Sequence, residues 1–377
     1  MEFVHIGDLH LGKILCQRSF LKQQEIVLFK LLDYIETQKI PVLVIAGDVY
    51  DRLVPPIEAV SLFNRFLEKA ILELKLKVLI ISGNHDSYER LQFASSILKR
   101  QGLVISSILS KEIETFEYED VVFHLLPFIK PSQVNDLYEE ENVKTYHEAI
   151  ATVLKHHSID TSKKNVMVTH QFVARYNEEV IESESEAILS VGGSEVIDVS
   201  LFDDYDYVAL GHLHAPQKIG RETVRYSGSL LRYSFDEVKQ NKSVCKVDMS
   251  DKEHIQISLI EFLPDITLNK YKGELNEFLD PNNQIVKNSQ DYIFFELTDT
   301  TLKPQAMDQL RLIYPNVLQI NYVNLNKEEA SLHDFKLRKI DDRTIFNEFY
   351  QLIRNQPLNI NQIEIINDLL EKMEGDQ

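Results

Sequence analysis

Cysteine is nearly absent from this 377-residue chain. Cys16 and Cys245 stand alone and without metal-motif spacing, so neither a disulfide framework nor a thiolate metal site organises the fold. Long apolar runs are missing too: none reaches the roughly 18 residues that a membrane-spanning helix needs. The opening MEFVHIGDLH runs directly into acidic and imidazole side chains, where a signal peptide would carry a basic start and an apolar stretch. The expectation is a cytoplasmic protein with no membrane association. Basic charge is also scarce, 40 Lys+Arg against 59 Asp+Glu, a net charge of −19. Taken alone this argues against nucleic acid, whose affinity for proteins rests largely on Lys and Arg meeting phosphates. The shortage is uneven, however: residues 1–130 hold 15 basic and 17 acidic residues, whereas residues 131–200 hold 5 and 13. The first third is therefore close to neutral, and bound divalent cations or a partner could supply positive charge there.

What the chain does have is a repeated pattern of short apolar runs ending abruptly in polar side chains. VLVIAGDVYD (Val42 to Asp51) is the central one, delivering Asp48 to the end of a buried strand. FVHIGDLH (Phe3 to His10), VLIISGNHD (Val78 to Asp86), VMVTH (Val166 to His170) and YVALGHLH (Tyr207 to His214) repeat it. A continuous apolar run suits a strand covered on both faces, and loops at the ends of such strands are where α/β architectures place chemistry. Asp8, His10, Asp48, Asn84, His85, His170, His212 and His214 then form one oxygen-and-imidazole set, which suits Mn, Fe or Zn better than a soft-metal site. Two cations about 3.5 to 4 Å apart need an anion between them, and the carboxylate of Asp48 is the natural bridge.

GDLH, GDVYD, GNHD and GHLH in this order resemble the calcineurin-like metallophosphoesterase superfamily. SVGGSEVID (Ser190 to Asp198), YVALGHLHAPQ and YSGSLLRYSFDE (Tyr226 to Glu237) narrow the resemblance to its SbcD-type nuclease subunits, strongly over residues 1 to about 265. The resemblance implies an α/β four-layer αββα sandwich and two divalent metal ions, with Mn foremost and Mg or Fe as alternatives. Asp8, His10 and His214 would hold the first metal, Asn84, His170 and His212 the second, and Asp48 both. His85 would protonate or stabilise the leaving oxygen, with Asp86 orienting it or its loop. Asp51 stands where some relatives carry a histidine, so a second catalytic histidine is not available there. Tyr50 and Arg52 are candidate DNA contacts. The implied activity is phosphodiester hydrolysis at DNA ends and hairpins, as a 3′ to 5′ exonuclease on duplexes and an endonuclease on single strands and hairpins. The implied setting is DNA repair, recombination and replication beside an SbcC-type coiled-coil ATPase, two of each subunit, with a homodimer possible. A phosphoesterase for small phosphoesters or phosphoproteins, and a non-catalytic adaptor, are the alternatives.

Along the chain, residues 1–264 are expected to form the nuclease domain, 265–340 a β-α-β unit that the resemblance implies is a capping domain for the DNA substrate, and 341–377 two amphipathic helices that by the same resemblance grip the ATPase, with folding back on their own chain as the alternative. Helical stripes are expected over Ser19 to Thr37, Ile57 to Leu74 and Lys144 to His157, and one from a cap at Asp86 through Leu98. The acidic stretch Glu178 to Glu186 reads as a solvated loop, His156 and His157 as solvated residues, and His5 and His124 as satisfied sheet residues.

Overall fold

The computed structural model describes residues 1–175, 180–186, 196–283 and 290–325, together with Leu358 and Gln362. The expected C-terminal helices, save Gln362, most of the linker before them and the first six residues of SVGGSEVID lie outside the described residues. In chain order the elements begin with β1 (Glu2–Ile6), α1 (Leu21–Gln38), β2 (Val42–Ala46), α2 (Ile57–Glu68), β3 (Lys77–Ile81), α3 (Tyr88–Gln92), α4 (Ser95–Leu98) and β4 (Leu103–Ser106). There follow β5 (Glu114–Tyr118), β6 (Val121–Leu126), α5 (Pro131–Leu137), α6 (Tyr146–Lys155), β7 (Lys164–His170), β8 (Tyr207–Gly211), β9 (Gln217–Ile219) and β10 (Arg221–Tyr226). The last are β11 (Val244–Asp248), β12 (Gln256–Ile260), β13 (Leu268–Gly273), α7 (Leu275–Leu279), β14 (Tyr292–Leu297), α8 (Ala306–Ile313) and β15 (Val317–Tyr322).

Two six-stranded sheets carry the fold, in the orders β12-β11-β1-β2-β3-β4 and β9-β10-β8-β7-β6-β5. Parallel strands run from β1 to β4 in the first sheet and through β6, β7, β8 and β10 in the second; antiparallel strands close both edges of the second sheet and the β11–β12 side of the first, whose other edge is the parallel β4. Alternation along each strand sorts the side chains into layers. Phe3, Val42, Val44, Leu79 and Ile81 of the first sheet meet Phe123, Leu125, Val166, Val168 and Tyr207 of the second in one buried cluster. Val4, Ile6, Leu43, Ile45 and Ile80 point the other way, against Leu28, Leu31 and Phe66 of α1 and α2. Met167, Val208, Leu210 and Tyr226 cover the outer face of the second sheet beneath Val134, Ile150 and Val153 of α5 and α6. Four layers result, as the apolar runs imply: strands covered on both faces have no polar side to show.

α6 opens on a capping box in which the Thr145 hydroxyl accepts from Glu148 N at 3.1 Å and the Glu148 carboxylate accepts from Thr145 N at 3.1 Å. The helix expected from Asp86 to Leu98 is instead two short pieces, broken at Phe93 and Ala94, the latter with φ 59°. Its expected cap is engaged elsewhere: Asp86 turns inward and is fully buried. Gln92 meanwhile commits its amide to Ser95 and to the backbone and hydroxyl of Ser107.

Among the described residues no helix is long and apolar enough to cross a membrane. Contacts divide the chain into Met1–Glu296 with Gln305–Asn321, and Leu297–Pro304 with Tyr322–Gln377. Beyond residue 264 the strands β13, β14 and β15 form a three-stranded sheet, one strand more than the expected β-α-β unit, because LNKYKG carries too little apolar alternation to announce β13. In the smaller unit, Asp299 pairs with Lys303 at 3.3 Å and Val323 N donates to Leu297 O at 2.9 Å.

Candidate metal centre

Parallel strands end on a common edge, and all seven expected ligands collect there. Asp8 and His10 follow β1, Asp48 follows β2 and Asn84 follows β3, while His170 ends β7 and His212 and His214 follow β8. The first sheet thus supplies four side chains and the second three. Four of these residues occupy left-handed or otherwise positive backbone conformations: Asp8 (φ 52°), His10 (43°), Asp48 (50°) and His212 (113°). Such conformations cost about 1–3 kcal/mol each and persist only where the surroundings impose them. Here Asp8 N donates to Gly47 O at 3.1 Å, His10 N to Asp48 O at 3.0 Å and Leu11 N to Val49 O at 2.9 Å, which ties the first two loops together. The preceding glycines explain how the loops approach so closely. A Cβ at Gly211 would fall onto the carbonyl oxygen of Ala46, and one at Gly83 onto the carboxylate of Asp48.

Donor atoms converge on two overlapping points. His10 Nε2 and His214 Nε2 lie 3.0 Å apart, and Asp8 joins them within 4.8 Å. Asn84 Oδ1 lies 3.0 Å from His170 Nε2 and 3.2 Å from His212 Nδ1. Between these groups stands Asp48, its Oδ2 3.5 Å from His10 Nε2 and 3.4 Å from His170 Nε2. Two nitrogens about 2.1 Å from a shared ion and about 90° apart lie roughly 3 Å from each other, so the spacing of His10 and His214 fits co-ligands of one cation. The donor set, carboxylate, amide and imidazole without thiolate, fits divalent ions of intermediate hardness.

Hydrogen bonds from behind fix the ring nitrogens. His170 Nδ1–H donates to Ala46 O at 2.8 Å, leaving Nε2 to face Asp48 and Asn84. His214 Nδ1 faces Glu237 Oε1 at 3.1 Å and the Ser185 hydroxyl at 2.7 Å, leaving Nε2 to face His10. Burial lowers the pKa of His10, of His212 to about 3, and of His214, so these rings are neutral and ready to ligate. His170 differs: burial alone would lower it, but the Asp48 carboxylate outweighs burial and raises it to about 9. Asp48 is correspondingly held well below the usual carboxylate range by His170 despite its burial, whereas burial pushes Asp8 up.

His85 stands at the rim of this cluster. Its backbone N–H donates to Asp48 Oδ1 at 2.9 Å, leaving Oδ2 between the two histidines, and its Nδ1–H donates to Asp51 O at 3.0 Å. Its ring lies edge-on to His10 with centroids 4.8 Å apart, and one nitrogen comes within 4.8 Å of donors from His10 and Asp48. Asp86 makes no bond to the imidazole. Its carboxylate accepts from Val49 N at 3.1 Å, Tyr50 N at 3.0 Å and Gly83 N at 3.0 Å, so it orients the loop and joins it to the loop of Asp48. Asp51 pairs with Lys13 at 3.0 Å. The Tyr50 ring packs against Phe63 at 5.7 Å, and Arg52, half exposed, lies 3.8 Å from Asp51.

Charge pattern alone missed the support behind His214. Glu186, expected in a solvated loop, accepts from His214 N at 2.6 Å, and burial raises its pKa to about 7. Glu237 is fully buried and held far below the normal carboxylate range: burial opposes this, but His214 and Lys242 overcome it. The only signal for Glu237 was its place at the end of YSGSLLRYSFDE, and Glu186 gave none, because nothing in an acidic run says which carboxylate turns inward. His157, likewise expected in solvent, lies 2.7 Å from His124 Nδ1, whose other nitrogen bonds Asn165. His5 is satisfied by Tyr207 and by the Leu210 carbonyl, as expected of a sheet residue.

Residues 1–216 match the calcineurin-like phosphoesterase family, and residues 266–353 match a domain described as the type 5 capsule protein repressor C-terminal domain. The chain is 34% identical over 372 residues to the SbcD subunit of the SbcCD nuclease from Staphylococcus epidermidis. It is 32% identical over 373 residues to the protein of the same name in Staphylococcus saprophyticus, and in both cases 98% of each chain is covered.

Proposed function

The chain belongs to the calcineurin-like phosphoesterases and, within them, to the family of SbcD nuclease subunits; from that premise we propose that it is the metal-dependent DNA nuclease component of an SbcCD-type complex. The observation that carries this reading is the placement of Asp48 Oδ2 at 3.5 and 3.4 Å from histidine nitrogens belonging to opposite sheets. That placement supports the reading that two ions would share this carboxylate. Asp8, His10, Asp48 and His214 would hold one ion and Asp48, Asn84, His170 and His212 the other, Mn by the donor chemistry, with Mg or Fe as alternatives. When bound, a pair of divalent cations supplies acidification of a water nucleophile and electrostatic stabilisation of the phosphoryl oxygens.

The chain's own residues then position and protonate. With Nδ1–H committed to the Asp51 carbonyl, His85 has Nε2 left to serve the departing sugar oxygen as proton donor. Asp86 holds the loop of His85 against that of Asp48 through three backbone N–H bonds. Tyr50 and Arg52 flank this rim as contacts for the DNA strand. An SbcC-type ATPase is the expected partner, with residues 341–377 as its docking segment and two copies of each chain. Support for a homodimer comes from the exposed apolar side chains Leu53, Val60 and Phe93, which line one cavity.

The test is nucleotide release from an end-labelled duplex and a hairpin in Mn, Mg or EDTA, beside His85→Ala. Cleavage that needs metal and falls about 10²- to 10⁴-fold in the variant, with two metals still bound, supports the nuclease and the role of His85. Absence of DNA cleavage both alone and with the ATPase, with brisk hydrolysis of a small aryl phosphodiester, would replace this reading with that of a small-substrate phosphoesterase.

A further inference from the structure

Behind the first metal position lies a closed polar assembly that the proposed chemistry does not use. Its centre is Glu237, 0% exposed, with both oxygens saturated by donors. Oε1 faces His214 Nδ1 at 3.1 Å and accepts from the hydroxyls of Ser183 at 2.7 Å, Ser234 at 3.0 Å and Ser185 at shorter range. Oε2 accepts from Tyr233 N at 3.1 Å and pairs with Lys242 Nζ at 2.7 Å. Four of these groups lie between Ser183 and Glu186 or bond to that segment: Ser183, Ser185, Ser234 and His214. The Ser185 hydroxyl also reaches His214 Nδ1 at 2.7 Å, Glu186 Oε1 accepts from His214 N at 2.6 Å, and Glu186 Oε2 accepts from Ser183 N at 2.9 Å. One histidine is therefore gripped at its ring and at its backbone by the same four-residue segment, through and around one carboxylate.

We infer that Glu237 is the positioning residue of the first metal site and that the Ser183–Glu186 segment is a clasp whose closure and occupation of that site by a divalent cation are energetically coupled. The inference rests on the two-metal reading above and adds a specific asymmetry to it. A carboxylate on the far nitrogen of a ligating imidazole fixes the ring's tautomer and direction and raises its basicity, and loss of such a partner typically weakens metal binding about 10- to 100-fold. Among the described residues the second site has no such assembly: His170 Nδ1 donates to the carbonyl of Ala46 in a strand already fixed by the sheet. Coupling between two binding or ordering events is reciprocal, so a clasp that tightens the site is itself tightened by the cation.

The test uses the full chain, Mn²⁺ as the probe, and three variants. Electron paramagnetic resonance during a Mn²⁺ titration should show an exchange-coupled pair in the wild type. In Glu237→Gln the same titration should show one tight uncoupled ion, with the second binding about 10- to 100-fold more weakly. Glu237→Gln leaves the Lys242 ammonium without its anionic partner, though its bonds to the His214 carbonyl, Ser229 and Gln240 remain, so Glu237→Gln with Lys242→Met is the companion variant; it should keep the selective loss while removing the buried charge. Ser185→Ala should give the same loss at smaller size. Hydrogen exchange at residues 183–186 should slow on Mn²⁺ addition in the wild type and respond weakly in Glu237→Gln. The inference is overturned if the companion variant folds and binds both ions as the wild type does, or if both ions weaken equally, or if exchange in the segment ignores Mn²⁺. A wild-type chain that binds fewer than two ions would instead overturn the two-metal reading itself.

Discussion

Two glycines of the same pair of motifs lead to opposite expectations. At Gly211 a methyl group would fall onto the Ala46 carbonyl oxygen, with His170 Nδ1 at 2.7 Å and the Ala46 carbonyl carbon at 3.0 Å. None of these is the far end of a flexible side chain: two are backbone of β2 and one belongs to the buried ring of His170, a proposed metal ligand. Relief requires the end of β8 to move away from the end of β2, which also carries His212 and His214 away from Asp8 and Asp48. At Gly7 the nearest atoms to a new methyl lie at 3.5 Å, ordinary contact distance. Overpacking a well-filled core costs typically 1–3 kcal/mol, and a clash with backbone on two sides belongs at or above the top of that range. Gly211→Ala is therefore expected to cost about 3 kcal/mol or more, roughly 6 °C in melting temperature for a core of this size, and to lose metal. Gly7→Ala should stay within about 1 kcal/mol and keep its metal. Thermal melts of the metal-free proteins, with metal content measured on the same preparations, check both. The packing argument fails if Gly211→Ala melts with the wild type and binds two ions, or if the two variants are equally damaged.

Metal loading should depend on pH. His170, held near pKa 9 by Asp48 when no metal is present, must lose its proton before Nε2 can ligate, so affinity should rise by up to tenfold per pH unit below about pH 9. Calorimetry in buffers of different ionisation enthalpy should count at least one proton released per loading event; none released would contradict the assignment. His124 is depressed to about 4 by burial, with its bond to Asn165 opposing, below the unfolded value of 6.5. Its contribution to stability is thus present above pH 6.5 and lost as pH falls toward 4. His124→Gln should flatten that limb by at most about 1.4 kcal/mol per pH unit, seen in melting temperatures across pH. Thr145→Ala should cost about 1 kcal/mol through loss of the α6 cap, and Thr145→Ser should recover most of it in the same melting assay.

The strand ends were legible because two requirements coincide in one place. A strand buried on both faces must be apolar, and a ligand must be polar, so the junction between them in GDLH, GDVYD, GNHD and GHLH marks the site without any fold in hand. The tautomers were not legible, because what fixes His170 is a carbonyl 124 residues away and what fixes His214 is a glutamate in a different loop. Asp86 illustrates a local rule overridden by tertiary structure. Its spacing to Glu89 satisfies the pattern of a helix cap, yet the carboxylate gains three backbone N–H partners by facing inward. Glu186 shows the reverse error, a charge in an acidic run that composition assigns to water and packing assigns to the backbone of His214. β13 escaped notice because LNKYKG buries only its first residue well and so carries no alternating signal.

The order in which the chain is made adds a dimension to the division of ligands between the two sheets. Asp8 and His10 leave the ribosome about 200 residues ahead of His212 and His214, a gap of roughly 10–40 s at 5–20 residues per second. Strand β1 also waits for β11, its neighbour on the side away from β2, which arrives later still. Until both have emerged, the growing chain carries half a centre whose carboxylates and imidazoles have no counterparts. Sequence order alone thereby delays assembly of the full donor set until both sheets exist.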